Sequence, residues 1–199
     1  MPRKIDPLGR MAMRPNDIMR SMRYDPFTHN RRSIRLPGYD YTAAGSYFVT
    51  INATRAHGLL FGTVVDGEVV LNEYGVFVRD EWERSARIRP ELELGAYVVM
   101  PNHLHGIVTL VGDRFVGAHG HAPLHAPSLH RPPRSIGAFV ARFKGAVTRR
   151  INALRETEGT PVWQRNYYEH VVRDDEDLSR IRAYIEDNPR NWEDDEYYR

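Results

Sequence analysis

Residues 92–100 and 103–111 are two runs of strand-forming residues separated only by Pro101-Asn102. Proline and asparagine break extended structure, so the runs read as a strand pair with a turn between them. Any fold for this chain must therefore be built around a sheet that holds this pair. The flanking segments fit such a sheet. Residues 46–54 (SYFVTINAT) are β-branched and aromatic, a strand signal. Residues 59–65 and 68–71 flank Asp66-Gly67, the dipeptide of a tight hairpin turn. Asn72 is placed to cap a helix over 73–88 that stops before Pro90, and Ser135 to cap a long helix over 136–154. Phe139, Phe143, Val147 and Ile151 recur every fourth residue of that long helix and predict its buried face. A strand at 167–172 and a helix capped by Asp174 and ending near Asn188, before Pro189, complete the order β-β-β-α-β-β-α-β-α. Single helices between mostly antiparallel strands predict an α+β fold, one sheet with helices packed on it.

Composition narrows the class. The 199 residues suffice for one domain, and an apolar fraction of 41% with three Trp, seven Phe and eleven Tyr supplies a core. No run of about 18 apolar residues exists, and the first twenty residues lack the apolar stretch of a secretory signal, so a cytoplasmic, nucleoid-associated location is expected. There is no cysteine. Disulfides and thiolate zinc sites are excluded, and a metal must be held by His, carboxylate or amide groups.

The net charge of +2 hides an asymmetry. Residues 1–35 carry nine Lys/Arg against three Asp, and residues 131–155 carry seven Lys/Arg and no acid. Residues 169–199 carry eleven acids against five Arg. Two basic zones on a nearly neutral chain fit a polyanionic partner such as nucleic acid. The expected organisation is a basic, flexible N-terminal tail at 1–34, one domain at 35–192, and an acidic C-terminal tail at 193–199. Residues 113–133, rich in Pro and containing His119, His121, His125 and His130, lack periodicity and read as an insertion.

Four groups of residues can carry chemistry or bind its substrate. His103 and His105 sit at i and i+2 of a strand, so both side chains leave one face, about 6.6 Å apart along the chain, while Leu104 points into the core. One cation between two imidazoles fits that spacing, and without cysteines Mg²⁺ or Mn²⁺ suits a site whose substrate brings phosphate oxygens. Tyr184 and Asn188 sit at i and i+4 of the last helix and share a face. A tyrosine hydroxyl can act as a nucleophile, and an amide oxygen can complete a metal shell. Trp163 and Arg165, in the run WQRNYYEH, can stack on and clamp single-stranded bases. Glu169 and His170 of that run can approach the metal. Arg142, Lys144, Arg149 and Arg150 of the long helix can track a phosphate backbone.

Taken together, these segments resemble the REP-associated tyrosine transposases, a branch of the single-tyrosine HUH transposases. The run Tyr97-Val-Val-Met-Pro-Asn-His-Leu-His-Gly-Ile-Val108 is similar to the family's paired-histidine segment. Val162-Trp-Gln-Arg-Asn-Tyr-Tyr-Glu-His-Val-Val-Arg173 is similar to its next segment, and Tyr184-Ile-Glu-Asp-Asn-Pro189 to its nucleophile helix. Arg35-Leu-Pro-Gly-Tyr-Asp-Tyr41 and Gly45-Ser-Tyr-Phe-Val-Thr50 resemble its opening strand, so the likeness runs from about Ile34 to Trp192. The resemblance implies a ferredoxin-like antiparallel sheet. It further implies His103, His105 and Asn188 as ligands of Mg²⁺ or Mn²⁺, and Tyr184 as the nucleophile. The implied substrate is single-stranded DNA with a palindromic hairpin, cleaved through a 5′-phosphotyrosine intermediate. A homodimer is the expected assembly. Two other readings stay open on the sequence: a non-catalytic palindrome-binding protein descended from a transposase, and a metal-dependent phosphodiesterase that uses water as its nucleophile.

Overall fold

The computed structural model describes residue 40 and residues 43–111, 134–195, 197 and 198. The stretches 1–34 and 113–133 and most of the motif at 35–41 lie outside the described residues. The element order is β1 (Gly45–Asn52), β2 (Gly62–Val65), β3 (Glu68–Leu71), α1 (Glu73–Arg87), β4 (Leu92–Met100), β5 (His103–Leu110), α2 (Ile136–Arg155), β6 (Tyr168–Val171) and α3 (Asp175–Asp187). Short 3-10 turns follow β1 (Arg55–His57) and α3 (Pro189–Asp194). Among the described residues no helix is long and apolar enough to cross a membrane.

The fold is α+β. Four strands form an antiparallel sheet in the order β4-β5-β1-β6. The expected single sheet is in fact two, because β2 and β3 pair only with each other. Their Asp66-Gly67 turn has φ of 52° and 77°, the left-handed backbone that a two-residue hairpin needs. The predicted caps form: the side chains of Asn72, Ser135 and Asp174 accept from the backbone N–H groups of Gly75, Ala138 and Asp177.

Alternation along the strands divides the core into two layers. Tyr47, Val49 and Ile51 of β1 and Leu104 and Val108 of β5 face α1 and α2, where Val78, Trp82, Phe139, Phe143, Val147 and Ile151 close the larger core. Phe48 and Ile107 face the other way, against Ile181 and Ile185 of α3. Of the described α-helices, α3 packs on that second side, and its face is the one that His103 and His105 share with Ile107.

Gly106 explains how closely the larger layer packs behind this site. A Cβ built there lies 2.4 Å from Cζ2 of Trp82. Glycine is required because the fully buried indole of Trp82 lies flush on the strand, in edge contact with Phe139 and Phe143.

Candidate active site

His103 and His105 are fully buried, and their Nε2 atoms lie 2.9 Å apart. Each ring is held by its other nitrogen. His103 Nδ1–H donates to Asn102 Oδ1 at 2.8 Å; that amide is oriented because its Nδ2 donates to the Tyr197 carbonyl at 2.7 Å. His105 Nδ1 meets Thr50 Oγ1 at 2.8 Å across the β1–β5 ladder, where the two residues are in register. His103 therefore presents a bare Nε2 lone pair. Thr50 can serve His105 in either tautomer, as donor to a bare Nδ1 or as acceptor from Nδ1–H.

Burial holds both rings neutral, the form that ligates metal. It pushes His105 down to about 3, and with the neighbouring His105 ring it holds His103 well below the ordinary imidazole value. Without an ion, the arrangement is satisfied by a proton on His105 Nε2 shared with His103 Nε2.

α3 brings Tyr184 to the histidine pair and Asn188 to Asp195 beside it. Tyr184, half-buried, places its hydroxyl 3.1 Å from His105 Nε2 and packs edge-on against Phe48. One turn on, Asn188 is buried, and its Oδ1 has no partner among the described residues. Its Nδ2 donates to Asp195 Oδ2 at 2.9 Å. The helix carries both because the caps and the pair Ile181 and Ile185 fix its rotation on the sheet.

The sequence reading missed Asp195, which it placed in an acidic tail. Pro189 does more than end α3: it opens a 3-10 turn whose Trp192 is buried against His103. That turn delivers Asp195 to the histidines, with ligand atoms of His103, His105 and Asp195 within 4.8 Å of one another. Burial raises the Asp195 carboxyl, against hydrogen bonds from the Tyr197 N–H and Asn188 that lower it. The Tyr197 ring packs against His103 at a tilt of 48°, with ring centres 4.7 Å apart. The reading also missed Asn102 and Thr50; Asn102 lay in plain view as the residue before the first histidine.

These residues fit a divalent cation. Two nitrogens 2.9 Å apart are spaced as neighbouring ligands of one octahedral ion, whose bonds are roughly 2.1 Å long. The Asp195 carboxylate adds an oxygen donor of the kind a hard cation takes, and Asn188, bonded to that carboxylate, carries an unpartnered amide oxygen.

The remaining candidates are placed differently. Glu169 points to the opposite face and accepts from the Tyr167 hydroxyl. His170 does lie on α3's side, but its Nε2 is 2.8 Å from Asp177 Oδ2, so it ties β6 to α3 and is not at the histidine pair. Trp163 is buried between Phe61 and Phe143 and is unavailable for stacking on bases. Lys144 donates to the carbonyls of Gln164 and Asn166. Arg150 reaches Asp80 and Glu81 and lies 4.2 Å over the Phe77 ring, joining α2 to α1. Arg142, Arg149 and Arg165 are exposed and have no ion pair among the described residues. α2 packs on the sheet face opposite the histidines, so Arg142 and Arg149 are not part of the same cleft.

No protein-family model matches the chain. It is 38% identical over 180 residues to an uncharacterised protein of Haemophilus influenzae, covering 88% of this chain and 97% of that one. A second protein of Haemophilus influenzae, assigned as a REP-associated tyrosine transposase, is 26% identical over 153 residues, covering 75% of this chain and 73% of that one. Among solved structures, a REP-associated tyrosine transposase bound to a REP hairpin superposes with a TM-score of 0.55. The match has 21% identity and covers 80% of this chain and 74% of that one, which shows a shared fold. In sequence and in fold, the chain is thus similar to REP-associated tyrosine transposases.

Proposed function

We propose that this protein is a metal-dependent endonuclease and strand transferase acting on single-stranded DNA at palindromic hairpins, with Tyr184 as its nucleophile. The observation that carries the reading is the convergence of the Tyr184 hydroxyl, the facing His103 and His105 nitrogens and the Asp195 carboxylate to which Asn188 is bonded. His103, His105 and Asn188 would hold a Mg²⁺ or Mn²⁺ ion, with Asp195 as a further oxygen ligand. When bound, such an ion supplies Lewis-acid polarisation of a phosphate oxygen.

The chain's own residues do the rest. Thr50 and Asn102 hold the imidazoles with their Nε2 atoms bare toward the ion. Phe48 and His105 pack the Tyr184 ring and limit its swing, so the phenolic oxygen meets the scissile phosphorus from one side. Tyr184 gives its proton to water, its oxygen bonds to phosphorus, and the bond to the 3′-oxygen breaks as that oxygen takes a proton from water. A 5′-phosphotyrosine and a free 3′-hydroxyl result. The ester keeps the bond energy, so a 3′-hydroxyl can attack it in reverse and join strands without ATP. The hairpin partner is supported by the fold likeness to a family member bound to such a hairpin. Of the basic side chains singled out in the sequence, Arg142, Arg149 and Arg165 stay exposed; contacts of Arg142 and Arg149 would fall on DNA outside the cleft, and binding through all three falls with salt.

The test is a denaturing gel of protein mixed with labelled hairpin DNA from repeats flanking its gene, with Mn²⁺ or Mg²⁺. A band that survives denaturation, and is lost with chelator and in Tyr184→Phe, is expected. Cleavage by Tyr184→Phe at the wild-type rate contradicts the proposal and favours a water nucleophile.

A further inference from the structure

One polar group beside the histidines has no role in the account above. Asn52 ends β1 directly opposite His103 in the β1–β5 ladder. The next pair is hydrogen-bonded, since the Ala53 N–H donates to the Asn102 carbonyl at 2.9 Å. Asn52 and His103 are therefore a non-hydrogen-bonded pair, the kind whose Cα atoms come within about 4.5 Å and whose side chains lie closest. Thr50 and His105 are the equivalent pair one step along, and there the cross-strand side chains do bond. Strand alternation puts Asn52 on the same face as Phe48, Thr50 and the metal-binding edges of both rings.

The Asn52 amide does not repeat the Thr50 contact. His103 Nδ1–H is already given to Asn102, and Asn52 Oδ1 is shut off from solvent with no partner among the described residues. A buried acceptor left open is costly and persists where a donor arrives with a ligand. His103, His105, Asn188 and Asp195 supply at most four of the six positions that Mg²⁺ or Mn²⁺ fills, which leaves hydration water on the ion beside these residues.

We propose that Asn52 is a positioning residue of the metal centre, whose side-chain oxygen accepts a hydrogen bond from a water in the cation's hydration shell. This rests on the metal centre of the preceding section. Asn52 would fix where that water stands, and so which position is left for the DNA phosphate. It would also couple the end of β1 to ion binding.

The test uses metal-free full-length protein without DNA, titrated with Mn²⁺ while the electron paramagnetic resonance of free Mn²⁺ is followed. Wild type is compared with Asn52→Leu, Asn52→Ala, Asn52→Asp and His105→Ala, and all are melted with and without the ion. Asn52→Leu and Asn52→Ala should bind Mn²⁺ roughly tenfold more weakly. Asn52→Leu should melt, free of metal, at or above the wild-type temperature, because it deletes an unpartnered group of similar size. Asn52→Asp keeps the acceptor and should bind at least as tightly as wild type. Wild-type affinity in both removal variants overturns the inference, and so does a loss of metal-free stability that accounts for any weakening. Wild type that binds no better than His105→Ala brings down the metal centre itself, and this inference with it.

Discussion

Thr50→Val isolates what the second contact of a histidine is worth here. The substitution keeps the shape of a fully buried side chain and removes the hydroxyl 2.8 Å from His105 Nδ1. In the metal-free protein the lost bond is an ordinary neutral one, worth about 1 kcal/mol. With the ion bound, Nδ1–H sits on a ring polarised by a cation, and a hydrogen bond of that charged kind is worth about 1.5–3 kcal/mol. The difference, about 0.5–2 kcal/mol, is what metal binding loses, roughly a two- to thirty-fold weaker affinity. The metal-free protein should melt about 2–4 °C lower, as expected for 1 kcal/mol in a domain of this size. Mn²⁺ titration by calorimetry, with melting curves of both states, reads both quantities, and Thr50→Ser should recover most of each. A Thr50→Val protein that loses the expected melting temperature but binds Mn²⁺ like wild type would show that Thr50 only packs, and would refute the tautomer argument.

Other outcomes follow from the same geometry. Without metal, stability should fall as the pH drops below about 6.5. His103 and His105 are neutral in the fold down to much lower pH, while the unfolded chain takes up their protons near 6.5. The slope approaches about 1.4 kcal/mol per pH unit per histidine, and the raised Asp195 carboxyl offsets part of it toward pH 4. Urea midpoints that are flat between pH 7 and 5 would contradict this. Gly106→Ala should cost about 1–3 kcal/mol by forcing Trp82 away from β5, seen as a lower urea midpoint, and should also weaken cleavage through the adjacent His105. Asn188→Leu should abolish adduct formation and weaken Mn²⁺ binding, yet change metal-free stability little. It loses the bond to Asp195 but also an unpartnered oxygen; a large drop in melting temperature would mark Asn188 as structural.

The parts of this site that the sequence exposed are those that strand and helix periodicity register. His103 and His105 share a face because of a two-residue period, and Tyr184 and Asn188 because of a four-residue one, so each pair could be read before any fold was known. Their convergence could be reached only through resemblance, because it depends on α3 folding onto the α1-free side of the sheet. Asp195 was illegible for a different reason. It comes back through a 3-10 turn that opens at Pro189, where the sequence reads as a helix end followed by acidic chain. Trp163, Lys144 and Arg150 look like DNA-binding residues by type, yet the fold uses them in packing, in carbonyl contacts and in a tie between helices. Type alone cannot separate those roles, because stacking on a base and stacking in a core use the same surface.

Two tyrosines stand at the histidine pair: Tyr184, bonded to His105, and Tyr197, packed at a tilt against His103. The central claim is best tested by isolating the covalent complex formed with hairpin DNA and Mn²⁺, digesting both components, and locating the nucleotide by tandem mass spectrometry. The account predicts a 5′-linked nucleotide on Tyr184 alone. A nucleotide on Tyr197, or cleaved DNA with no modified peptide, would contradict it.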